Sequence, residues 1–162
     1  MSMIGNYRRI TRDQLAALQG DPSSVPAFLY DEEPPSDSHV DLDKAWHAIH
    51  FLLNGHTWEG DGPLFNSILG GEPLGEEDVG YGPARFLTPE GVRATAEALS
   101  DVSISDLLAR FDATKLNENE IYPQHWTGEE VDRHYVRDNF VRLVEFFQLT
   151  AKSDNAMLLY IN

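Results

Sequence analysis

The side chains best suited to chemistry are concentrated in one segment, DLDKAWHAIHFLLNGHTW, which runs from Asp41 to Trp58. This segment contains three of the six histidines, together with two aspartates and two tryptophans. Imidazole groups bind metal ions and exchange protons near neutral pH, and carboxylates tune both reactions. A functional site is therefore expected in this segment if the chain contains one.

The apolar spacing of the segment predicts a helix that is capped by Asp41 or Asp43 and ends at Gly55. At about 100° per residue, four polar side chains fall within an arc of about 60°, namely Asp43, His47, His50 and Asn54. The remaining positions are largely apolar, so the helix is expected to be central, with this polar seam hydrogen-bonded or facing a cavity. His56 and Trp58 follow the helix and are expected to pack the loop rather than join the site.

Three interpretations of the seam remain open. In the first, His47 and His50 bind a divalent metal with Asp43 or a distant carboxylate, although the stronger zinc motif H-E-x-x-H places its histidines four residues apart. In the second, His50 or His47 is a general acid or base whose pKa is set by Asp43 or Glu120. In the third, which the residues favour, the seam is a buried hydrogen-bonded network. No metal or other cofactor is expected.

A second polar and aromatic cluster, NENEIYPQHW, extends from Asn117 to Trp126. Glu118 and Glu120 could supply a carboxylate to a pocket. The candidate ligand-binding residues of the two clusters are Trp46, Tyr122, His125 and Trp126. The structural alternative is that Ile121 and Tyr122 hold this connection on the core, and the peptide bond before Pro123 is expected to be trans. If both clusters faced one cleft, that cleft would be the leading candidate site.

The overall charge limits the classes of partner. The chain of 162 residues carries 27 acidic and 12 basic side chains, a formal net charge of −15, and no cysteine. Nucleic-acid surfaces need a basic stripe, which the mixed charges around Arg133, Arg137 and Arg142 do not provide. Binding to nucleic acid or to an anionic membrane is therefore not expected. The simplest explanation of the acidity is solubility, and the alternative is a surface for a basic protein partner. The absence of a signal-like or membrane-spanning apolar run predicts a cytoplasmic location.

The order of local signals predicts one α+β domain over residues 1–162, in which a small mixed or antiparallel sheet packs against several helices. Strands are expected at the N-terminus, at ARFL and at NAMLLYIN, with irregular backbone in the glycine-rich stretch before ARFL. Helices are expected after the caps Thr11, Thr88, and Ser100 or Ser103, and after a capping box of Thr127 with Glu130. Residues 112–126 are expected to form a connection, and Val131 is expected to face the core.

Residues 21–39, DPSSVPAFLYDEEPPSDSH, contain four prolines and five acidic side chains. The composition predicts a surface loop or flexible segment, in which AFLY docks on the body of the domain. Its length and acidity also make it a candidate lid over a small-molecule pocket.

Several stretches together resemble the YfbM-like family of uncharacterised bacterial proteins. They span essentially the whole chain: MSMIG, DLDKAWHAIHFLLNG, LFNSILGGEPLGE, FLTPEGV, NENEIYP and NAMLLYIN. The resemblance implies a soluble, bacterial, single-domain α+β protein, and it implies no activity. The family pattern includes Asp43, Lys44, Trp46, His50 and Phe51, and residues 120–123. It does not call for a histidine at His47, which counts against a chelate formed by His47 and His50.

These observations favour a non-catalytic protein-interaction module with an acidic surface, by analogy with small acidic immunity proteins. Two alternatives stay open. One is a small hydrolase-like enzyme that uses His50 with Asp43 or Glu120. The other is a sensor with a small-molecule pocket under residues 21–39.

Overall fold

A five-stranded antiparallel sheet organises the structure, a computed structural model that describes residues 1–162. Its strands are β1 (Gly5–Ile10), β2 (His39–Asp41), β3 (Glu72–Asp78), β4 (Pro83–Leu87) and β5 (Ala156–Ile161), in the spatial order β2-β1-β5-β4-β3. The strands nearest the two ends of the chain are neighbours at the centre, with Gly5 opposite Ile161 and Ile10 opposite Ala156. The expected α+β class is confirmed, and the sheet is antiparallel throughout.

Eight α-helices lie around the sheet. They are α1 (Arg12–Gly20), α2 (Val25–Tyr30), α3 (Trp46–Asn54), α4 (Gly62–Asn66), α5 (Pro89–Ser100), α6 (Ile104–Ala109), α7 (Ala113–Glu118) and α8 (Glu130–Lys152). None of these helices is long and apolar enough to span a membrane.

Helices cover both faces of the sheet, and this explains why β5 is an almost unbroken apolar run. Met157 and Leu159 of β5 join the larger core, which includes residues of α3, α5 and α8. Leu158 and Tyr160 point the other way, into a smaller core with residues of α1 and α2. Because successive strand residues face opposite sides, a strand buried on both faces has no polar alternation.

Several helix starts follow from local hydrogen bonding. Thr11 forms the expected capping box, since its hydroxyl accepts from the Gln14 N–H and its own N–H donates to the Gln14 side chain. The hydroxyls of Thr88 and Ser103 accept from backbone N–H groups of α5 and α6. These side chains satisfy N–H groups that have no partner within the helix.

Other local predictions are wrong. The glycine-rich stretch expected to be irregular contains β3, whose pairing with β4 has a register shift after Pro73. The connection expected over residues 112–126 contains α7, which Asp112 caps. Thr127 pairs with Asp132 instead of Glu130, and the helix cap is Glu129. Val131 is 66% exposed, because it lies on the outer side of the first turn of α8.

Residues 21–39 are ordered to a greater extent than their proline content predicts. A 3₁₀ turn at Pro22–Ser24 leads directly into α2, and Pro26 lies in the first turn, where its missing N–H needs no partner. Val25 and Leu29 are buried in the smaller core. The Tyr30 hydroxyl donates to the Val79 carbonyl at the end of β3. The expectation of a flexible loop over the whole segment is therefore wrong, although AFLY does dock on the body.

Candidate functional site

The start of the histidine helix α3 is organised by a tyrosine from the far end of the chain. The Tyr135 hydroxyl donates to the Asp43 carboxylate at 2.7 Å and accepts from the Lys44 N–H at 2.9 Å. Asp41 accepts from the Asp43 N–H, and α3 begins only at Trp46. The expected capping of the helix by Asp41 or Asp43 is therefore wrong. Asp43 holds α8 against the turn before α3.

Desolvation and the neighbouring Asp43 carboxylate both raise the pKa of Tyr135 above its ordinary value. The Tyr135 hydroxyl therefore stays protonated and remains a donor to Asp43 across the physiological range. The role of the Asp43 carboxylate in this arrangement is structural. No hydrogen bond joins Asp43 to either histidine of α3.

His47 connects two separate segments through both of its ring nitrogens. Its Nδ1 accepts from the Tyr122 N–H at 2.9 Å, so the proton of the neutral ring lies on Nε2, which donates to the Thr57 carbonyl at 2.9 Å. Burial lowers the pKa of His47, and the bond to Thr57 only partly opposes that effect. His47 is therefore a neutral connector at pH 7.

His50 is fully buried and has one ring nitrogen without a hydrogen-bond partner. Its Nδ1 lies 3.3 Å from the Asn54 side-chain nitrogen, whereas its Nε2 contacts no donor or acceptor within bonding geometry. Burial, reinforced by the nearby His47, lowers the pKa of His50 to about 4, and the backbone and the charge of Glu59 oppose this shift without cancelling it. At neutral pH the ring is uncharged and closed to solvent.

Four stacked rings join the two clusters that the sequence singled out. The Trp46 ring lies 5.0 Å from His47 and 5.8 Å from Tyr122, and the Trp58 ring lies 4.3 Å from His47. We call Trp46, His47, Trp58 and Tyr122 the aromatic stack. Trp58 was expected to lie outside the site, yet it covers His47 while remaining 55% exposed. The only signal in the sequence that associated Trp58 with the site was its position two residues after His56.

The aromatic stack also holds the start of the chain. The Trp46 indole donates to the Met3 carbonyl, and the Met3 N–H donates to the Tyr122 hydroxyl, both at 2.9 Å. Gly5 passes so close to Trp46 that a β-carbon at position 5 would lie 2.9 Å from the Trp46 Cβ. The absence of a side chain at Gly5 is therefore a condition of this packing.

The other candidates of the second cluster do not line a shared cleft with His50. Glu120 and His125 are exposed, and both adopt positive φ angles, of 53° and 63°. Trp126 is buried, and its indole donates to the Ile121 carbonyl. Asn117, which the sequence did not single out, brackets Trp126 by bonding both its N–H and its carbonyl. The Tyr122–Pro123 peptide bond is cis, contrary to expectation.

The chemistry available to this arrangement is limited. No group of three or more histidine, cysteine, aspartate or glutamate side chains comes close enough to hold a metal ion. Neither Asp43 nor Glu120 contributes to the shifted pKa of His50, which comes from burial and from His47, Glu59 and His56. A general base must reach a substrate proton, and His50 is enclosed. The aromatic stack and the buried His50 form a packed contact between α3, residues 120–123 and the first strand.

The charge of the surface is the second notable feature, because few of the carboxylates are paired with basic side chains. Four arginines donate to backbone carbonyls: Arg8, Arg85, Arg110 and Arg133. The ion pairs of the molecule involve only four carboxylates, which are Glu90, Glu130, Asp138 and Asp154. Twenty-three of the 27 acidic side chains therefore have no cationic partner.

The excess negative charge is unevenly distributed along the chain. Residues 13–84 contain fourteen carboxylates and a single basic side chain, Lys44. Gly75 of β3 packs directly on Pro22, and Tyr30 bonds to Val79, so α2 and β3 lie side by side. Eight exposed carboxylates surround this junction, and we call them the acidic edge: Asp21, Asp31, Glu32, Glu33, Glu72, Glu76, Glu77 and Asp78.

A groove between α1 and α2 opens beside the acidic edge. It encloses about 390 Å³, has a partly apolar lining and ends at two carboxylates. The residues that line it are Gln14, Ala17, Leu18, Ser24, Ala27, Phe28, Asp31 and Glu32. The lid expected over residues 21–39 is thus one wall of an open groove, since α2 is fixed to the sheet beneath it.

The fold and these sites define a small α+β domain built on a helix-covered antiparallel sheet, with a sealed histidine helix and an acidic edge. A family described as "Domain of unknown function (DUF1877)" matches residues 1–160. Protein YfbM of Escherichia coli strain K12 is 30% identical over 138 residues, which cover 82% of this chain and 80% of that protein. The chain belongs to the DUF1877 family, and the resemblance seen in the sequence is confirmed.

The fold has a solved counterpart. The crystal structure of YfbM from Escherichia coli, a protein of unknown function, superposes with a TM-score of 0.76 at 24% identity. The match covers 98% of this chain and 99% of that one. It supports the arrangement of the single α+β domain described above.

Proposed function

We propose that this chain is a non-catalytic protein-binding module whose acidic edge binds a basic partner protein. The observation that carries the proposal is the separation of charge: four arginines donate to backbone carbonyls, while the carboxylates of the acidic edge face solvent without ion pairs. Unpaired charge of one sign raises the encounter rate with an oppositely charged surface. It also repels acidic partners, which confers specificity.

The geometry of α3 supports a binding function over the hydrolase alternative. An acid–base mechanism needs an exposed imidazole with a pKa near the working pH. His50 is fully buried, and its pKa is lowered to about 4. His47 has both nitrogens engaged in hydrogen bonds to backbone groups. These contacts position segments of the fold and leave no free base at the surface of α3.

The test compares two triple variants with the same change in net charge. One reverses Glu33, Glu76 and Glu77 of the acidic edge to lysine. The matched control reverses three exposed acids far along the chain to lysine: Glu97, Asp101 and Glu118. Each protein is immobilised and exposed at low salt to soluble extract of the source cells, and retained proteins are quantified by mass spectrometry.

The wild-type protein and the control triple are expected to retain the same basic protein, and the edge triple is expected to lose it. Equal loss from both triples would show that only total charge matters, and the acidic edge would lose its role. Retention of no basic protein by any form would contradict the proposed function itself. Circular dichroism of the three proteins should be superimposable, because all six positions are exposed.

A further inference from the structure

The groove between α1 and α2 combines apolar contact area with unpaired negative charge. Ala17 and Leu18 of α1 face Ala27 and Phe28 of α2 across it. Its volume of about 390 Å³ lies in the range of roughly 300 to 1,000 Å³ that is typical of binding pockets. The groove is therefore large enough to receive side chains of a ligand without rearrangement of either helix.

The walls of the groove are fixed from behind. The Arg8 guanidinium donates to the Phe28 carbonyl and lies 4.4 Å from the centre of the Phe28 ring. Leu18, Val25 and Leu29 are buried in the smaller core. A preformed apolar surface loses little conformational entropy when it binds, which favours affinity.

The charge at the end of the groove selects the sign of the ligand. Asp31 and Glu32 are exposed and form no ion pair. The buried Arg8 interacts electrostatically with Glu32 but is not in salt-bridge contact with it. By comparison, the larger groove between α5 and α8 has two cations, Arg93 and Lys152, beside the single carboxylate Glu97, so it does not favour a cationic ligand. The α1–α2 groove combines a partly apolar lining with two carboxylates and no cationic lining residue, which fits a ligand that is both apolar and cationic.

We propose that the groove between α1 and α2 receives an amphipathic basic segment of the partner protein, with apolar side chains on Phe28 and arginine or lysine side chains at Asp31 and Glu32. This inference rests on the proposed function, because it names the binding site for the same basic partner. The acidic edge attracts the partner over a distance, and the groove supplies the close apolar contact. Aliphatic and aromatic anchors in such pockets contribute most of the affinity of protein interfaces.

The test uses a synthetic amphipathic helical peptide of leucine and arginine, titrated into ¹⁵N-labelled full-length protein and followed by NMR. Chemical-shift changes are expected to concentrate on Ala17, Ala27, Phe28 and Asp31. The variant Ala27→Trp fills the groove and is expected to weaken binding by about tenfold or more. The matched control Ala94→Trp, on the exposed side of α5, is expected to change affinity by less than about twofold.

A second pair of measurements separates the apolar and the charged contributions. The double variant Asp31→Asn with Glu32→Gln is expected to lower the affinity for the peptide about tenfold at low salt, with a smaller loss of affinity at high salt. Spermidine, a small cation without apolar side chains, is expected to bind weakly and to leave the signals of Ala17 and Ala27 unchanged. A peptide with glutamate in place of arginine is expected not to bind.

Three outcomes would overturn the inference. Shift changes spread evenly over the acidic edge, with Ala27→Trp binding like the wild type, would exclude the groove as the binding site. The proposal of a basic partner at the acidic edge would be unaffected. Spermidine binding as tightly as the peptide would make the groove a small-cation site. Concentration-dependent self-association that Ala27→Trp abolishes would make the occupant a second copy of the chain. The proposed function fails separately, through the result for the charge-reversed triples.

Discussion

The Nδ1 atom of His47 accepts a hydrogen bond of 2.9 Å from the backbone N–H of Tyr122, a residue 75 positions further along the chain. The same imidazole donates through Nε2 to the Thr57 carbonyl. One side chain thus satisfies two backbone groups of two different loops. A histidine that suggests a metal ligand in the sequence is a structural crosslink in the fold.

Replacing His47 with phenylalanine is expected to keep the ring in the aromatic stack and to remove both hydrogen bonds. The Tyr122 N–H and the Thr57 carbonyl would then lack partners, at a cost of about 2 to 4 kcal/mol in the free energy of unfolding. Urea denaturation measures this change. The control His134→Phe, at a half-exposed position on α8, is expected to change stability by less than about 0.5 kcal/mol. Equal effects of the two variants would contradict the crosslink.

The stability of the protein is expected to fall as the pH is lowered from about 6.5 towards 4. Burial lowers the pKa values of His39, His47 and His50, the last to about 4. Between the folded and the unfolded pKa values the unfolded chain binds more protons, so the free energy of unfolding decreases as the pH falls. For His50 alone the loss reaches up to about 3 kcal/mol. Urea denaturation at a series of pH values measures the slope.

The variant His50→Leu isolates that contribution. It removes a buried nitrogen that has no hydrogen-bond partner, so at pH 7 the variant is expected to lie within about 1 kcal/mol of the wild type or to be more stable. Its stability should also fall less steeply between pH 6.5 and 4. A pH slope identical to that of the wild type would contradict the burial of a neutral His50.

Arg85 is expected to be important for stability although it forms no ion pair. Its guanidinium donates to the carbonyls of Ile68 and Gly70, at 3.0 and 2.6 Å, and so ties the loop after α4 to β4. Arg85→Leu is expected to lower the free energy of unfolding by about 1 to 3 kcal/mol, because two carbonyls lose their donor. The control Arg9→Leu, on β1, removes no side-chain hydrogen bond and is expected to have a smaller effect. Chemical denaturation of both variants decides between these expectations.

Trp58 is expected to account for most of the fluorescence that acrylamide quenches. Trp46 and Trp126 are 1% and 7% exposed, whereas Trp58 is 55% exposed. Trp58→Phe should therefore lower the quenching constant of the folded protein by more than about half, while preserving a ring over His47. Unchanged quenching in that variant would mean that Trp46 or Trp126 is accessible, which would contradict the burial of both side chains.

Local signals in the sequence correctly predict three helix starts and the end of α3. Thr11, Thr88 and Ser103 start helices because each hydroxyl bonds a backbone group three residues away. Gly55 ends α3 with a φ of 74°, which a residue with a β-carbon rarely adopts. Such contacts lie within one turn of the chain and are therefore visible in a short window.

The contacts that define the candidate site join residues that are far apart in the sequence. Asp43 has the spacing of a helix cap, but its partner Tyr135 is 92 residues away. Trp58 joins the aromatic stack because residues 120–123 return beside α3, which no local pattern near Trp58 encodes. The regularity of α2 also depends on tertiary contact, since Val25 and Leu29 need the sheet beneath them.

The pairing of β1 with β5 at the centre of the sheet sets the order in which the protein can be completed. Strand β1 is synthesised before the other four strands, yet its central neighbour begins at Ala156. Until the ribosome releases residues 156–161, β1 and β4 have no strand between them, and the apolar residues on both faces of the sheet stay uncovered. The nascent chain therefore depends on late, long-range closure, and this interval is when aggregation or capture by a chaperone is most expected.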